Sequence, residues 1–246
     1  MSNFKYCAII PTLNHYKVLE NVVQDVLNHG LDVVIIDDGS AADIAPHIQA
    51  LENKAKGVFV LRHETNMGKG KALETGFLWA HDHGYSHALQ VDADGQHDRN
   101  DIQSLIEKSR AHPNDLVTAV PIYDDSIPLG RKIGRRITHF WVWIETLSFS
   151  ISDSMCGFRI YPLPQTLEVI EQKSIGSRMD FDTSIMVHLY WKGCSVIEAP
   201  SKVIYPEGNS SNFRMLQDNI LISRMHTRLV CEMLWRLLRF KKRGQN

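Results

Sequence analysis

The sequence predicts an α/β fold with a mostly parallel central sheet flanked by helices. Its first half alternates short β-branched runs with segments of helical periodicity, the pattern of right-handed βαβ crossovers. Three of those runs end in polar, glycine-bearing clusters, and ligands of such sheets bind beyond the carboxyl ends of the strands. At 246 residues, 43% of them hydrophobic, the chain is long enough to bury its own core.

Runs at 6–10, 32–36, 57–61, 87–91 and 116–120 are rich in Val, Ile and Leu and read as buried strands. Between them, 16–28, 43–53, 69–83 and 100–111 carry apolar residues at helical spacing. In the first, Leu19, Val22, Val23, Val26 and Leu27 form one stripe. Residues 127–150 mix Arg131, Lys132, Arg135 and Arg136 with Ile133, Ile137, Phe140, Trp141 and Trp143, which predicts a basic, aromatic-bearing helix. A strand at 157–161, a helix at 182–192, strands at 195–199 and 202–205, and a helix over 212–240 follow. Without a visible linker or repeat, residues 1–213 are expected to form one domain and 214–246 a basic amphipathic helical appendage.

The formal net charge of −1 conceals a polarity. Residues 1–123 carry 10 basic and 16 acidic side chains, 124–206 carry 9 and 9, and 207–246 carry 8 and 3. A nucleic-acid partner is not expected, whereas a basic edge facing an anionic partner is. Cys7, Cys156, Cys194 and Cys231 are widely spaced without a C-x-x-C pair, which suits reduced thiols in a reducing compartment. The first residues read as a strand and not as a signal peptide. No stretch reaches the roughly 18 apolar residues of a membrane span. The expected location is cytoplasmic, with a peripheral place on the inner face of the cell membrane open.

Asp92-Ala93-Asp94-Gly95-Gln96-His97 ends a strand in a turn, so both carboxylates can converge on a hard cation, with Gln96 as a neutral oxygen donor. A solvated acidic turn is the plainer alternative. Asp37-Asp38-Gly39-Ser40 places a carboxylate where it can meet a nucleobase or ribose, or else makes a strand-to-helix turn. Asn66-Met67-Gly68-Lys69-Gly70-Lys71 has neither Walker nor G-x-G-x-x-G spacing, but it opens a helix whose N-terminus favours a diphosphate. His81, His83 and His87 lack zinc-site spacing.

Together with Ile9-Ile10-Pro11-Thr12-Leu13-Asn14, these clusters resemble in order and spacing the inverting glycosyltransferases of family 2, which have the GT-A (Rossmann-like) fold. Asp153-Ser154-Met155-Cys156-Gly157-Phe158-Arg159 and Arg178-Met179-Asp180-Phe181-Asp182 bring the resemblance closest to the polyprenyl- and dolichyl-phosphate sugar transferases. The resemblance implies a hexosyltransferase-like enzyme using a UDP- or GDP-linked sugar and a lipid-linked or otherwise membrane-located acceptor. It implies that Pro11, Thr12, Asn14, Asp37, Asp38, Asn66, Gly68, Lys69, Asp92, Ala93 and Asp94 bind the donor, with Asp37 on the base. Asp92, Asp94 and Gln96 would hold Mg²⁺ or Mn²⁺ against the charge developing on the leaving diphosphate.

For the acceptor, Asp180 and Asp182 are the candidate catalytic carboxylates, and an N-cap pair opening the 182–192 helix is the alternative. Arg131, Arg135, Arg159, Ser211 and Arg214 are the candidate acceptor-binding residues, because guanidinium forks grip phosphate oxygens. His97 and His226 are placed as further donor-site candidates. The basic tail can lie on a membrane interface, pack on its own domain or join a homo-oligomer. Two other functions fit the same sheet: a nucleotidyltransferase making nucleotide sugars, and a non-catalytic sugar-nucleotide-binding or scaffold protein.

Overall fold

β1 (Tyr6–Thr12) is buried along its whole length, as a strand covered on both faces must be. The computed structural model describes residues 4–122, 129–202 and 214–243, without the side chains of residues 129–132, 215 and 240–243. Around β1 run β2 (Asp32–Asp37), β3 (Val58–Arg62), β4 (His87–Gln90), β5 (Leu116–Ile122), β6 (Arg159–Pro162) and β7 (Val196–Lys202). They form one sheet in the order β3-β2-β1-β4-β6-β5-β7. Every pairing is parallel except those of β6, which runs antiparallel to both β4 and β5.

Alternate residues of β1 feed two cores. Ala8 and Ile10 pack beneath α1 (Leu19–Asn28) and its neighbours Ile48, Ile102 and Leu105. Cys7 and Ile9 face α3 (Lys69–Asp82), where Ala72, Leu73 and Phe77 are fully buried. α2 (Ala45–Gln49) and α4 (Ile102–Ala111) complete the first layer. α5 (Leu129–Thr146), α6 (Leu163–Gln172), α7 (Phe181–Lys192) and α8 (Met215–Arg243) complete the second. Burying a whole Leu or Phe side chain stabilises a fold by about 1.5–3 kcal/mol, so these two layers dominate the energetics.

The departures from expectation have local causes. The two strands expected at 195–199 and 202–205 are one strand through Pro200, with residues 203–205 outside the described part. β7 is an edge strand, where a proline leaves no ladder hydrogen bond missing. Helix α6 was not expected; its signals are Pro164 in the first turn and an apolar set at Leu163, Leu167 and Ile170. The C-terminal helix does not stand apart along its length. Met225 and Leu229 are buried in the second core, Met233 is buried as well, and α8 packs on α5. Its outward face leaves Leu234, Trp235 and Leu238 exposed. Among the described residues no helix is long and apolar enough to cross a membrane.

Candidate active site

β4 ends at Gln90, and the chain turns through Asp92, Ala93 and Asp94 with Gly95 in the left-handed region at φ +72°. This turn lies on one cavity of about 1650 Å³ that the carboxyl edge of the sheet shares with α5 and α8. Of the expected donor residues, Pro11, Thr12, Asp38, Asn66, Gly68, Lys69, Asp92, Ala93 and Asp94 line it, as does Gln96.

Asp92 is held by two cations or near-cations. Lys69 Nζ lies 2.7 Å from its Oδ1, and His97 Nε2 lies 3.4 Å from Oδ2. Burial disfavours its ionisation, but Lys69 and His97 outweigh burial and keep the carboxyl below the usual carboxylate range. Asp94 differs. Burial pushes its carboxyl up, and the neighbouring charge of Asp92 pushes it further. Its Oδ1 accepts the Gln96 backbone N–H at 3.0 Å, and among the described residues no Lys or Arg pairs with it. A half-buried carboxylate that no Lys or Arg pairs with, and an amide side chain lining the same cavity, are donors that fit Mg²⁺ or Mn²⁺. No three His, Cys, Asp or Glu side chains converge among the described residues, so such an ion would complete its shell with donor oxygens and water.

Lys69 also reaches Asp182, 3.1 Å away, whose Oδ1 accepts from Gln90 Nε2 at 3.1 Å. Burial would lower the lysine pKa, but Asp182 and Asp92 reverse that and fix the ammonium form. Gly157 makes this convergence possible. A Cβ there would stand 2.7 Å from Asp92 Oδ2 and 2.8 Å from Lys69 Nζ.

Four sequence expectations are corrected. Asp37 does not reach the cavity: it is 1% exposed, and its carboxylate accepts from the Ser40 N–H and pairs with Arg62. Asp38 is the member of that pair on the wall, accepting from the Met67 and Gly68 N–H groups and contacting His63. Asn14 is a brace, with its Oδ1 accepting from Ala41 and its own N–H donating to Ser40. The N-terminus of α3 is not free for a diphosphate, because Gly70 and Lys71 donate to the Ser177 carbonyl at 2.9 and 3.2 Å. Gly68, at φ +102°, permits that approach; a Cβ would stand 2.3 Å from the Ser177 oxygen.

On the acceptor side, Asp182 lines the cavity, whereas Asp180 folds back to accept from the Arg178 N–H at 3.1 Å. Neither carboxylate caps α7. Arg135 lines the cavity and pairs with Asp153, and Arg214 lines it near the start of α8. Arg159 is corrected. It is fully buried, with Nη1 donating to the Asp182 carbonyl at 2.6 Å and Nη2 to that of Ser154 at 2.7 Å. It supports the acceptor wall from behind. The Arg131 side chain and Ser211 lie outside the described residues. His15, Met155, Arg178 and Thr183 also line the cavity; Met155 and Arg178 stand in the quoted motifs, but none of the four is named from the sequence as a site residue, since each gains its place through the fold.

The sheet order, with an acidic turn at its carboxyl edge, agrees with the GT-A fold expected from the sequence. Residues 7–173 match the family described as glycosyl transferase family 2, and the chain belongs to that family. It is 30% identical over 205 residues to an uncharacterised protein of Methanocaldococcus jannaschii, covering 80% of this chain and 87% of that one. It is 28% identical over 216 residues to the UDP-N-acetylglucosamine–dolichyl-phosphate N-acetylglucosaminyltransferase of Methanococcus voltae, covering 81% and 85%. Its fold is similar to that of glucosyl-3-phosphoglycerate synthase from Mycobacterium tuberculosis in complex with UDP. The TM-score is 0.68 at 13% identity, covering 94% and 80% of the two chains. The same enzyme with Mn²⁺, UDP-glucose and phosphoglyceric acid gives 0.64 at 12% identity over 94% and 80%.

Proposed function

We propose that this glycosyltransferase moves a sugar, with inversion, from a nucleotide diphosphate sugar to a polyprenyl-phosphate-like acceptor, assisted by Mg²⁺ or Mn²⁺. One observation carries the reading: a single cavity joins the Asp92–Asp94 turn to the basic and apolar wall of α5 and α8. Asp38, Asn66 and the 92–94 turn bind the nucleotide, and Asp94 with Gln96 holds the cation. When bound, that cation offsets the negative charge growing on the leaving diphosphate. Asp182 orients the acceptor from the far side of the sugar, with Lys69 and Gln90 fixing its carboxylate. A phosphate acceptor is already ionised, so positioning matters more than deprotonation.

The dolichyl-phosphate specificity in the name of the Methanococcus voltae relative supports a lipid phosphate. The exposed Ile133, Ile137 and Phe140 on α5, with Leu234, Trp235 and Leu238 on α8, support peripheral contact with a membrane. Four free cysteines suit its cytoplasmic side.

The test is calorimetry with a panel of UDP- and GDP-sugars, with and without Mn²⁺, followed by transfer of labelled sugar to a short-chain prenyl phosphate. Metal-enhanced binding and labelled lipid product are expected. Absence of any nucleotide binding overturns the reading.

A further inference from the structure

The far wall of the cavity holds a titratable pair that donor chemistry does not use. His226 on α8 is 6% exposed and lines the cavity. Its Nδ1 lies 2.7 Å from Oε1 of Glu145, a fully buried residue at the end of α5. Neither His226 Nε2 nor Glu145 Oε2 has a hydrogen-bond partner among the described residues. Buried polar atoms are almost always partnered, so two such atoms on one pair mark a site that awaits something.

The geometry gives the pair a direction. A carboxylate at Nδ1 fixes the ring and its Nδ1 proton, which leaves Nε2 buried and unpartnered on a residue that lines the cavity. Burial pushes the Glu145 carboxyl up, while His226 draws it back down. The surroundings suit an amphipathic guest. The ring centroid of Trp141 is 6.4 Å from that of His226, and Ile137, Thr138 and Arg135 share the wall. Asp92 and Asp94 on the opposite wall require a cation before an anion can approach. The α5–α8 wall has basic side chains of its own.

We propose that His226, oriented by Glu145, donates through Nε2 to the phosphate of the acceptor and so fixes where the nucleophilic oxygen meets the sugar. This rests on the reading above that the acceptor is a lipid-linked phosphate. The apolar residues of α5 then carry the chain of the lipid, and Arg135 supplies a second positive charge beside the phosphate.

The discriminating variants are His226→Asn and His226→Gln. An asparagine amide reproduces Nδ1 and keeps the contact with Glu145, but deletes the Nε2 nitrogen; a glutamine amide reaches the Nε2 position. Binding of a short-chain prenyl phosphate, the matching unphosphorylated prenol, UDP and Mn²⁺ is measured for the wild type and both variants. His226→Asn is expected to weaken the prenyl phosphate about tenfold, and His226→Gln to recover part of the loss, with prenol, UDP and Mn²⁺ unchanged. Equal prenyl phosphate affinity in His226→Asn overturns the inference while leaving the proposed function standing. So does an equal loss for the prenol, or a loss of Mn²⁺ affinity. A wild type that binds nucleotide but no prenyl phosphate overturns both. A second measurement needs no variant: the ¹⁵N resonance of His226 Nε2 should move when the wild-type protein is saturated with the prenyl phosphate. An unmoved resonance overturns the inference.

Discussion

The ammonium of Lys69 lies 3.1 Å from the carboxylate of Asp182, and it also neutralises Asp92 2.7 Å away. One lysine therefore ties the turn after β4 to the first turn of α7. Removing it leaves two carboxylates in a partly buried space without their counter-charge. Lys69→Met is expected to destabilise the protein by about 1–3 kcal/mol, at or below the range for broken buried pairs because Asp92 is partly exposed. Adding Asp182→Asn should recover part of that loss, since it removes one of the stranded charges. Urea denaturation of the two single variants and the double variant measures the coupling.

Asp94 is the carboxylate that burial and its like-charged neighbour leave most in need of a cation. In the wild type, Mn²⁺ should tighten nucleotide binding by about tenfold or more, about 1.4 kcal/mol. In Asp94→Ala the nucleotide should bind equally with and without the metal. Calorimetric titrations of UDP and GDP into both proteins check this.

Asp180 and Asp182 separate by geometry, and kinetics should separate them too. Asp182→Asn is expected to lower kcat by about 10²-fold, the lower end of what a positioned acid–base group contributes. Asp180→Asn keeps an oxygen to accept the Arg178 N–H and should turn over close to the wild-type rate. Equal losses in the two variants would contradict the placement of Asp182 on the cavity wall.

Acid should loosen the acceptor wall through Asp153. Burial raises its pKa, but Arg135, His139 and the Met155 N–H outweigh burial, so the carboxyl is held below its ordinary range. A depressed carboxylate contributes stability that is present above the unfolded pKa, near 4 for Asp. That contribution is lost as pH falls through the folded value. Wild-type stability should therefore drop below about pH 4, and Asp153→Asn should show a shallower drop over the same window. Chemical denaturation from pH 7 to pH 3 gives both curves.

The two faces of α8 allow membrane contact to be tested without cutting the helix away. Truncation after residue 213 would strip Met225 and Leu229 from the second core. Leu229→Ala should destabilise the fold by about 2–4 kcal/mol. Trp235→Ser with Leu238→Ser, on the exposed face, should leave stability nearly unchanged and reduce co-sedimentation with anionic vesicles. Vesicle binding that ignores these two substitutions would remove α8 from the membrane surface.

The parts of this site that the sequence revealed are those built by short stretches of chain. The Asp92–His97 turn was legible because a strand, two carboxylates and a glycine follow one another within eleven residues. The sheet was legible for the same reason, through its alternating periods. The choice between Asp37 and Asp38 was not legible, because it depends on register. Asp37 is the last residue of β2, paired with Thr12 on one side and Arg62 on the other. The contact between Gln90 and Asp182 spans 92 residues, and that between His226 and Glu145 spans 81. No local pattern encodes such pairs. Arg159 misled for a related reason: in sequence a guanidinium reads as a grip for phosphate oxygens, and only the antiparallel β6 carries it inside.

The reversed direction of β6 has a consequence for the order in which this chain folds. Its neighbour β4 meets it across a long loop; Tyr161 donates to Gln90 from 71 residues away. Closing a loop of that length costs about 4 kcal/mol of chain entropy before any contact repays it. The strands β1 to β3 can pair through short crossovers, whereas β4 reaches β1 only across a closure of similar length, with His87 set against Tyr6. Gly157, Arg159 and Asp182 arrive only when β6 docks. The cavity draws on the ends of β4 and β6 together and is thus a late product of folding.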